Sequence, residues 1–361
     1  MQAMVLKGHG GLEQLEFHDD WPIPEVKDRE VLIQVAACGL NNTDVNTRSG
    51  WYSKAVTEAT TGDAYKTVDK DDPAWGGSPI RFPRIQGADI CGYVTAVGSK
   101  SNPNLIGQRV ISDNWLRDWS NPGAIDQVGY LGSECNGGFA QYVALDERNV
   151  EVVQSEFSDA ELATFSCSYT TAEGMLSRAE VTNKDTVLVT GASGGVGSAL
   201  IQLAKRRGAK VVGLASDHKH AQLALLGADA LLPRNPEDLE TALEQAIGIK
   251  TVSVVADIVG GSSFKAHIDV LASGGRYTCS GAIGGPMVEL DLRTLYLRDL
   301  TFTGSTVTPR HTFSDIVSYI ERGEIKPLVA ATFPLQDLHA AQQMFIDKQH
   351  VGNIVVTMNG V

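Results

Sequence analysis

One short stretch near the middle of the chain limits the possible folds more than any other. Residues 186–190 are apolar and β-branched, as in a buried strand, and glycines follow at positions 191, 194, 195 and 197. Residues 198–207 have the apolar spacing of a helix that ends in basic residues, and residues 210–215 form a second apolar run. The order strand, glycine-rich turn, helix, strand predicts a βαβ unit whose turn binds a pyrophosphate.

The glycines of this turn follow the spacing Gly-x-x-Gly-x-x-Gly rather than Gly-x-Gly-x-x-Gly. Such a turn could serve only for tight packing, but the flanking strands and helix favour dinucleotide binding. The diphosphate would then contact backbone N–H groups of the turn and the start of the helix. The residues predicted to bind the cofactor here are Gly191, Ser193, Gly194, Gly195, Val196 and Gly197.

The end of the second strand indicates which dinucleotide is bound. NAD sites place an Asp or Glu there to bind the ribose 2′-hydroxyl, whereas this chain has Ala215 and Ser216. Lys219 and Arg234 follow, and the two cations could pair with a 2′-phosphate. Asp217 argues for NAD if the strand ends late, and Lys219 could simply be a solvated cation. The pattern favours NADP (NADPH), with Ser216, Lys219 and Arg234 as binding residues.

Composition and charge argue against several classes of function. The 361 residues suffice for two domains, and 43% hydrophobic with 20% charged residues is a globular composition. Thirty Lys and Arg against 43 Asp and Glu give a net charge of −13, which disfavours binding to a nucleic-acid backbone. We expect no membrane span and no signal peptide. Five scattered cysteines without a Cys-x-x-Cys pair indicate a reducing, cytoplasmic location.

The pattern of apolar residues along the chain changes near residue 157. Before it, β-branched runs such as Glu30–Ala37 alternate with glycine turns, which is typical of a β-rich domain. After it, short strands alternate with helices, two of them predicted at 219–226 and 236–247, and this alternation predicts a doubly wound parallel sheet. A last strand at 353–357 is expected to return to the first domain. The prediction is an α/β chain with a Rossmann NADP-binding domain at 157–309 and a β-rich domain at 1–156 and 310–361.

Three segments make the chain resemble the medium-chain dehydrogenase/reductase superfamily over essentially its whole length. The Gly191–Gly197 turn and the Gly39–Asp44 segment, followed by Arg48–Tyr52, are similar to those of the zinc-independent quinone oxidoreductase branch. Gly352–Val356 resembles the closing strand of the superfamily. The resemblance implies a GroES-like catalytic domain, a Rossmann domain that binds NADP, and a homodimer.

The zinc ligands of the alcohol dehydrogenases in this superfamily have no full counterpart here. Asn41 occupies the place of one metal thiolate, and Ala88-Asp89 replaces their His-Glu. Cys167 alone matches a metal-binding thiolate, and residues 113–135 hold a single cysteine where a structural zinc needs four. Because an amide, a carboxylate and one thiol are a poor ligand set for zinc, we expect no metal.

Without a Lewis acid, the favoured chemistry is the reduction of a quinone, an enone or a 2-alkenal. Hydride from nicotinamide C4 reaches an electrophilic carbon, and the charge that moves to an oxygen needs one or two hydrogen-bond donors. The family segment makes Asn41, Thr43 and Tyr52 the candidate catalytic donors, although Asn41 is also a common turn residue and the insertion after Tyr52 could displace that tyrosine. Asp44, the fourth candidate, could touch the substrate or fix the loop.

Further cofactor contacts are implied by the resemblance. Thr171 matches a family position near the nicotinamide and is another candidate hydrogen-bond donor. Ile258, Gly281 and Ala282 follow the fourth and fifth strands of the predicted sheet, where ligands of such folds bind. Asn353 could reach the cofactor from the last strand.

Two long segments, 53–80 and 113–135, carry tryptophans and depart from the compact members of the family. They could form a lid that excludes water, a subunit contact, or a cover over the β-rich domain.

Three functions stay open: NADPH-dependent reduction of a conjugated acceptor, reduction of a C=O group as in an alcohol or aldehyde dehydrogenase, and non-catalytic nucleotide binding, as in some lens crystallins. The expected partner is a small carbonyl or quinone compound, with no nucleic acid and no membrane.

Overall fold

The chain begins with short strands because apolar and β-branched residues alternate there between glycine turns. The computed structural model describes residues 1–65, 68–69, 71–72, 75 and 77–358, so part of the predicted 53–80 loop lies outside the described residues. The N-terminal elements are β1 (Ala3–Leu6), β2 (Leu15–His18), β3 (Glu30–Gly39), α1 (Asn42–Ser49), β4 (Arg84–Ile85), β5 (Asp89–Val97), β6 (Arg109–Ser112), β7 (Trp115–Leu116), β8 (Gly129–Tyr130), β9 (Tyr142–Asp146), β10 (Val150–Val152) and α2 (Asp159–Leu162).

The next part of the chain alternates helices with strands. Its elements are α3 (Ser166–Arg178), β11 (Thr186–Val189), α4 (Gly195–Arg206), β12 (Lys210–Ala215), α5 (His220–Ala224), β13 (Ala230–Pro233), α6 (Leu239–Ile247), β14 (Val252–Asp257), α7 (Phe264–Asp269), β15 (Leu271–Cys279), α8 (Leu292–Leu297) and β16 (Thr301–Gly304). The C-terminal elements are α9 (Arg310–Glu321), β17 (Val329–Pro334), α10 (Leu338–Asp347) and β18 (Asn353–Thr357).

The described residues divide into two compact units. The first comprises residues 1–56, 61–167 and 309–361, and the second comprises residues 57–60 and 168–308. Residues 157–167, predicted to belong to the Rossmann domain, group instead with the first unit because α2 packs against β3 and β5. The approach is close, since a Cβ on Gly39 would lie 2.3 Å from the carbonyl oxygen of Ala163.

The second unit is built on a parallel sheet. Within the described residues, its strands lie in the order β13-β12-β11-β14-β15-β16. Apolar side chains such as Leu188, Val212 and Val255 form its buried core with Leu271. The direction of strand succession reverses next to β11, and ligands of such sheets bind at the carboxyl ends of the strands at this point. The prediction of a Rossmann-type, doubly wound α/β sheet is confirmed.

The first unit is β-rich and largely antiparallel. Its larger sheet has the order β10-β6-β5-β3-β18-β17, with β9 also paired to β3, and a smaller sheet has the order β2-β1-β4. The C-terminal strand β18 pairs with β3, where Val356 lies opposite Cys38. The end of the chain therefore completes the sheet that the first residues begin.

Two predicted helices differ in detail from the structure. The helix predicted over 236–247 begins at Leu239, because the side chain of Asp238 caps it by accepting a hydrogen bond from the Thr241 N–H at 3.2 Å. The helix predicted over 219–226 is shorter, since a 3-10 turn covers Asp217–Lys219 and α5 ends at Ala224.

No helix of the described residues combines the length and the apolar character that crossing a membrane requires.

Candidate functional site

The glycine-rich turn joins the end of β11 to the start of α4 in the second unit. Gly191 adopts a left-handed backbone with φ +57°, which glycine tolerates best. A Cβ on Gly197 would lie 2.2 Å from the carbonyl oxygen of Gly191, so the helix can approach the turn because residue 197 is glycine. Gly194 is the N-cap of α4 and supplies no side-chain cap, which leaves the first N–H groups of the helix for an anionic group. The neighbouring turn residues Ser193, Gly195 and Val196 are half-buried.

A buried lysine lies beside this turn. Lys219 is 5% exposed, and its Nζ lies 3.4 Å from the Oγ of Ser193. Burial lowers the pKa of Lys219, and the nearby charge of Arg234 lowers it further. Asp217, the residue that argued for NAD, has a side chain that is 80% exposed, while Ser216 is half-buried at the end of β12. Two cations and a hydroxyl suit a phosphate better than a ribose 2′-hydroxyl.

Asp257 organises the loop that follows β14. Its Oδ1 accepts hydrogen bonds from the Thr190 Oγ1 at 2.6 Å and from the N–H groups of Val259 at 2.8 Å and Gly260 at 3.1 Å. Burial would raise the pKa of Asp257, but the nearby His267, whose Nδ1 lies 3.5 Å from Oδ2, and the hydrogen bond from Thr190 hold it far below its usual range. The ionised carboxylate therefore fixes this loop. The sequence pointed to the strand end at Asp257–Gly260 as a cofactor contact, but not to the role of the Asp257 carboxylate in fixing the loop.

Three predicted cofactor residues lie together near this loop. A Cβ on Gly191 would lie 3.1 Å from the Cδ1 of Ile258, and a Cβ on Gly281 would lie 3.1 Å from the Ile258 carbonyl oxygen. A Cβ on Gly260 would lie 3.4 Å from the Cβ of Ala282. The structure thus brings the loop after β14, the loop after β15 and the glycine-rich turn to one edge of the parallel sheet.

A separate group of predicted residues lies at the start of α1 in the first unit. Asn41 is the N-cap of this helix, and its N–H donates to the Oδ2 of Asp44 at 2.8 Å. The N–H of Gly87 donates to the Oδ1 of Asp44 at 3.1 Å. Burial raises the pKa of Asp44 to about 7. Because both carboxylate oxygens accept backbone hydrogen bonds, the geometry favours the loop-fixing role of Asp44 over contact with a substrate.

Asp89 is the centre of a buried polar cluster that includes Asn41. Its Oδ1 accepts hydrogen bonds from the Nδ2 of Asn114 at 3.1 Å and from the N–H of Cys167 at 2.9 Å. Within the part of the chain that the structure describes, neither its Oδ2 nor the Nδ2 of Asn41 has a hydrogen-bond partner. Burial raises the pKa of Asp89 to about 6, and the facing amide of Asn41 opposes that rise.

Tyr130 and Asn114 also belong to this cluster, and neither was predicted from the sequence. The Tyr130 hydroxyl accepts hydrogen bonds from the Nδ2 of Asn114 at 3.3 Å and from the Oγ1 of Thr43 at 3.4 Å. Its ring lies 5.3 Å from that of Trp75 and 5.2 Å from that of Trp115, between ring centroids. The aromatic residues of the two long segments were the one sequence feature that could have pointed to this cluster. Among the described residues, Trp75 of the first segment packs against Trp115 and Tyr130 of the second.

Three other predicted residues lie in different parts of the two units. Tyr52 follows α1, and burial raises the pKa of its hydroxyl while a hydrogen bond with Asn46 opposes the rise. Thr171 is half-buried on α3 in the second unit. Asn353 is buried at the start of β18 in the first unit. The predicted substrate or cofactor contacts of these residues stay predictions.

The positions that bind zinc in alcohol dehydrogenases do not fit a zinc ion here. Among the residues that the structure describes, no group of three His, Cys, Asp or Glu side chains is arranged to hold a metal. Ala88 contributes no ligand, and the Oδ1 of Asp89 already accepts two hydrogen bonds. A catalytic zinc needs three protein ligands, usually nitrogen or sulfur.

Asp89 should make the stability of the fold depend on pH. Its pKa rises from 3.8 to about 6 on folding, so between these values the folded chain binds more protons than the unfolded chain. The free energy of unfolding should therefore fall as the pH rises from about 4 to about 6, by roughly 2 kcal/mol for this group. Asp89→Asn keeps an acceptor for Asn114 and Cys167 but removes the charge.

Urea unfolding at pH 4.5 and 7.5 tests this expectation. The variant should lose about 2 kcal/mol less than the wild type between the two pH values. Equal losses in both proteins would contradict the assignment of a raised pKa to Asp89.

Comparison with known proteins assigns the family. The model of the alcohol dehydrogenase GroES-like domain matches residues 27–155, and the model named zinc-binding dehydrogenase matches residues 195–322. The chain also resembles the solved structure of a provisionally named alcohol dehydrogenase from Sinorhizobium meliloti 1021. That structure is 43% identical, with a TM-score of 0.90, and the match covers 99% of this chain and 97% of the other.

Curated relatives extend the comparison to named activities. Acryloyl-coenzyme A reductase of Metallosphaera sedula is 27% identical over 99% of this chain and 100% of its own length. Quinone oxidoreductase of Homo sapiens is 24% identical over 96% of this chain and 94% of its own length. The predicted GroES-like domain is confirmed by these matches. The chain belongs to the medium-chain dehydrogenase/reductase superfamily and is an NAD(P)-dependent oxidoreductase.

Proposed function

We propose that this oxidoreductase is an NADPH-dependent, zinc-independent reductase of conjugated acceptors such as enones, 2-alkenals and quinones. The observation that carries the proposal is the buried cluster of the first unit, where the side chains of Asn41, Thr43 and Asn114 carry hydrogen-bond donors. Such donors suit a negative charge that is spread over a conjugated system. The similarity to an acryloyl-coenzyme A reductase and to quinone oxidoreductases supports this acceptor class, since both names refer to conjugated acceptors.

The second unit provides the residues that would hold the cofactor. NADPH, when bound, supplies the hydride. The N–H groups at the start of α4 would bind its diphosphate, and Lys219 with Arg234 would bind its 2′-phosphate. Asp257 holds the loop at Ile258–Gly260, next to the glycine-rich turn, in one conformation. A fixed loop lowers the entropy cost of binding a cofactor there.

The first unit provides donors for the acceptor. The Nδ2 of Asn41 is buried and faces the Asp89 carboxylate, and the hydroxyl of Thr43 lies in the same cluster. Asn41 can donate a hydrogen bond to the oxygen on which charge develops, Thr43 donates to the neighbouring Tyr130 hydroxyl, and Asp44 keeps the start of α1 in place. The final proton comes from solvent.

Reduction of an isolated C=O group is the second candidate. The 43% identity to a provisionally named alcohol dehydrogenase favours it. In that reaction the charge collects on one oxygen, so it needs a stronger stabilising group than a conjugated acceptor does. The ligand set at Asn41, Ala88 and Cys167 is unsuited to zinc, and this makes the conjugated acceptor the first choice.

Turnover of a panel of acceptors tests the proposal. The protein is first dialysed against a chelator, and NADPH oxidation is then followed with cyclohex-2-enone, a 2-alkenal, a quinone, an acryloyl thioester and saturated aldehydes. We expect turnover of at least one conjugated acceptor at about tenfold or greater kcat/KM than any saturated aldehyde. Activity confined to saturated aldehydes, or restored by added zinc alone, would overturn the proposal.

The oligomeric state, the location and the binding partners of the protein are further parts of the proposal. We infer a homodimer in the cytoplasm that takes a small carbonyl or quinone compound and binds neither nucleic acid nor membrane. The net charge of −13 supports the absence of nucleic acid. Exposed apolar side chains in the second unit fit a subunit contact, among them Met287, Leu292 and Leu297.

A further inference from the structure

We propose that Tyr130 is a further catalytic residue, whose hydroxyl donates a hydrogen bond to the oxygen of the acceptor. This inference rests on the proposed function and names a donor that no motif of the sequence indicates. Tyr130 belongs to the 113–135 segment, for which the sequence left the role open. It makes that segment part of the reaction site on the first unit.

The Tyr130 oxygen is already an acceptor of two hydrogen bonds, so its O–H is the group that can donate one. The Tyr130 oxygen accepts one hydrogen bond from Asn114 and another from Thr43. A phenol oxygen has two acceptor positions, so both are used and the O–H acts as donor; its partner within the cluster is Cys167, whose sulfur is a weak acceptor that the oxygen of an acceptor molecule would replace. Burial raises the pKa of Tyr130 well above its ordinary value, as do Cys167 and Asp89, so the hydroxyl keeps its proton at neutral pH.

The surrounding residues fix the phenol in place. Asn114 donates to both Asp89 and Tyr130, which ties the hydroxyl to the buried carboxylate. The ring is 3% exposed and packs against Trp115, and the Tyr130 N–H donates to Glu134 at 2.7 Å. A donor held in this way needs little reorganisation when charge develops, which is what makes an oxyanion site effective.

The same cluster contains polar atoms without a protein partner. Among the described residues, the Nδ2 of Asn41, the Oδ1 of Asn114 and the Oδ2 of Asp89 are buried and make no hydrogen bond. Buried polar groups are costly unless they are paired, so this cluster is suited to receive a polar ligand. With Asn41, the Tyr130 hydroxyl supplies the two donors that an acceptor oxygen requires.

For an enone, these donors assist the transfer of hydride from NADPH to C3. The hydride pair forms a C–H bond at C3, the C=C π electrons shift toward C1, and the C=O π pair moves onto the oxygen. Tyr130 and Asn41 donate hydrogen bonds to that oxygen without losing their protons. A proton from water then bonds to C2, and the C=O group is restored.

Removal of one hydroxyl tests the proposal. Tyr130→Phe should lower kcat for cyclohex-2-enone by about 100-fold, as loss of one oxyanion donor does, and should raise KM by a smaller factor because the hydroxyl also contacts the bound enone. The dissociation constant of NADPH should stay within about twofold of the wild type, because the cofactor residues lie in the second unit. Asn114→Ala should lower kcat in the same direction, because the phenol loses a hydrogen bond that positions it.

Tyr93→Phe is the matched control. It also removes one phenol hydroxyl from the first unit, in this case one that donates to the Oδ1 of Asp159 at 3.3 Å. Its kcat should stay within about threefold of the wild type. Equal kcat values in Tyr130→Phe and Tyr93→Phe would overturn the proposal, because a purely packing role for Tyr130 would leave the rate unchanged.

Binding without turnover separates this inference from the proposed function. Cyclohex-2-enone is titrated into the protein with NADP⁺, and tryptophan fluorescence reports binding because Trp115 packs on Tyr130. Absence of turnover in the wild type would refute the reductase proposal alone. Weaker enone binding in Tyr130→Phe would still support the contact, and equal binding with equal turnover would refute it.

Discussion

Replacing Gly197 by alanine should strongly destabilise the second unit, because the added methyl group meets backbone atoms. The new Cβ would lie 2.2 Å from the carbonyl oxygen of Gly191 and 2.7 Å from the Cα of Ala192. No side-chain rotation relieves such a clash, so α4 must move away from the turn. We expect the free energy of unfolding to fall by about 3 kcal/mol, with loss of NADPH binding.

Gly194→Ala is the control for this change. A Cβ on Gly194 would lie 3.6 Å from the carbonyl oxygen of Gly191, which is an ordinary contact. Its unfolding free energy should therefore stay within about 1 kcal/mol of the wild type. NADPH binding should nevertheless weaken, because the methyl group stands where a diphosphate would approach the helix. Urea denaturation and fluorescence titration with NADPH measure the two effects, and equal stability of Gly197→Ala and Gly194→Ala would contradict the packing argument.

Lys219→Ala should weaken NADPH binding by about 30-fold and leave NADH binding nearly unchanged, since a charge-assisted hydrogen bond contributes about 2 kcal/mol. Lys219 is buried beside Ser193 and near Arg234, and two cations at this edge suit a 2′-phosphate that NADH lacks. Adding Arg234→Ala should weaken NADPH binding further. The dissociation constants of both cofactors are compared by fluorescence titration.

Lys205→Ala is the control for the loss of one positive charge. Lys205 also lies in the second unit, where its Nζ pairs with the Oδ2 of Asp229 at 2.9 Å. Its removal should leave the ratio of the two dissociation constants unchanged. If Lys219→Ala weakened NADH and NADPH equally, or if the wild type bound NADH more tightly, the preference for NADP would be wrong.

The fold around the proposed cofactor site could be predicted because the residues that determine it are close together in the sequence. The left-handed Gly191 and the close approach at Gly197 require glycine, and the strand and helix beside them are continuous in sequence. The start of α6 was placed less well. The sequence pattern suggested a start at residue 236, whereas the Asp238 side chain, which accepts a hydrogen bond from the Thr241 N–H, sets the first turn.

The acceptor side depends on contacts between distant parts of the chain, and these leave weak sequence signals. Asn114 lies 25 positions from Asp89 and 16 from Tyr130, with which it forms hydrogen bonds. Thr43 and Tyr130 are 87 positions apart. None of these residues forms a motif with the others, so the prediction rested on the segments Gly39–Asp44 and Arg48–Tyr52. The resemblance identified those segments, and the tertiary structure supplied their partners.

Zinc-free transfer of hydride to the conjugated carbon is the main proposal, and the position of a deuterium label separates it from its alternatives. The chelator-treated protein is incubated with NADPH carrying deuterium on both C4 positions and with a 2-alkenal, and the product is analysed by NMR. We expect deuterium at C3 of a saturated aldehyde. Deuterium at C1 of an allylic alcohol, or a reaction that proceeds only after zinc is added, would contradict the proposal.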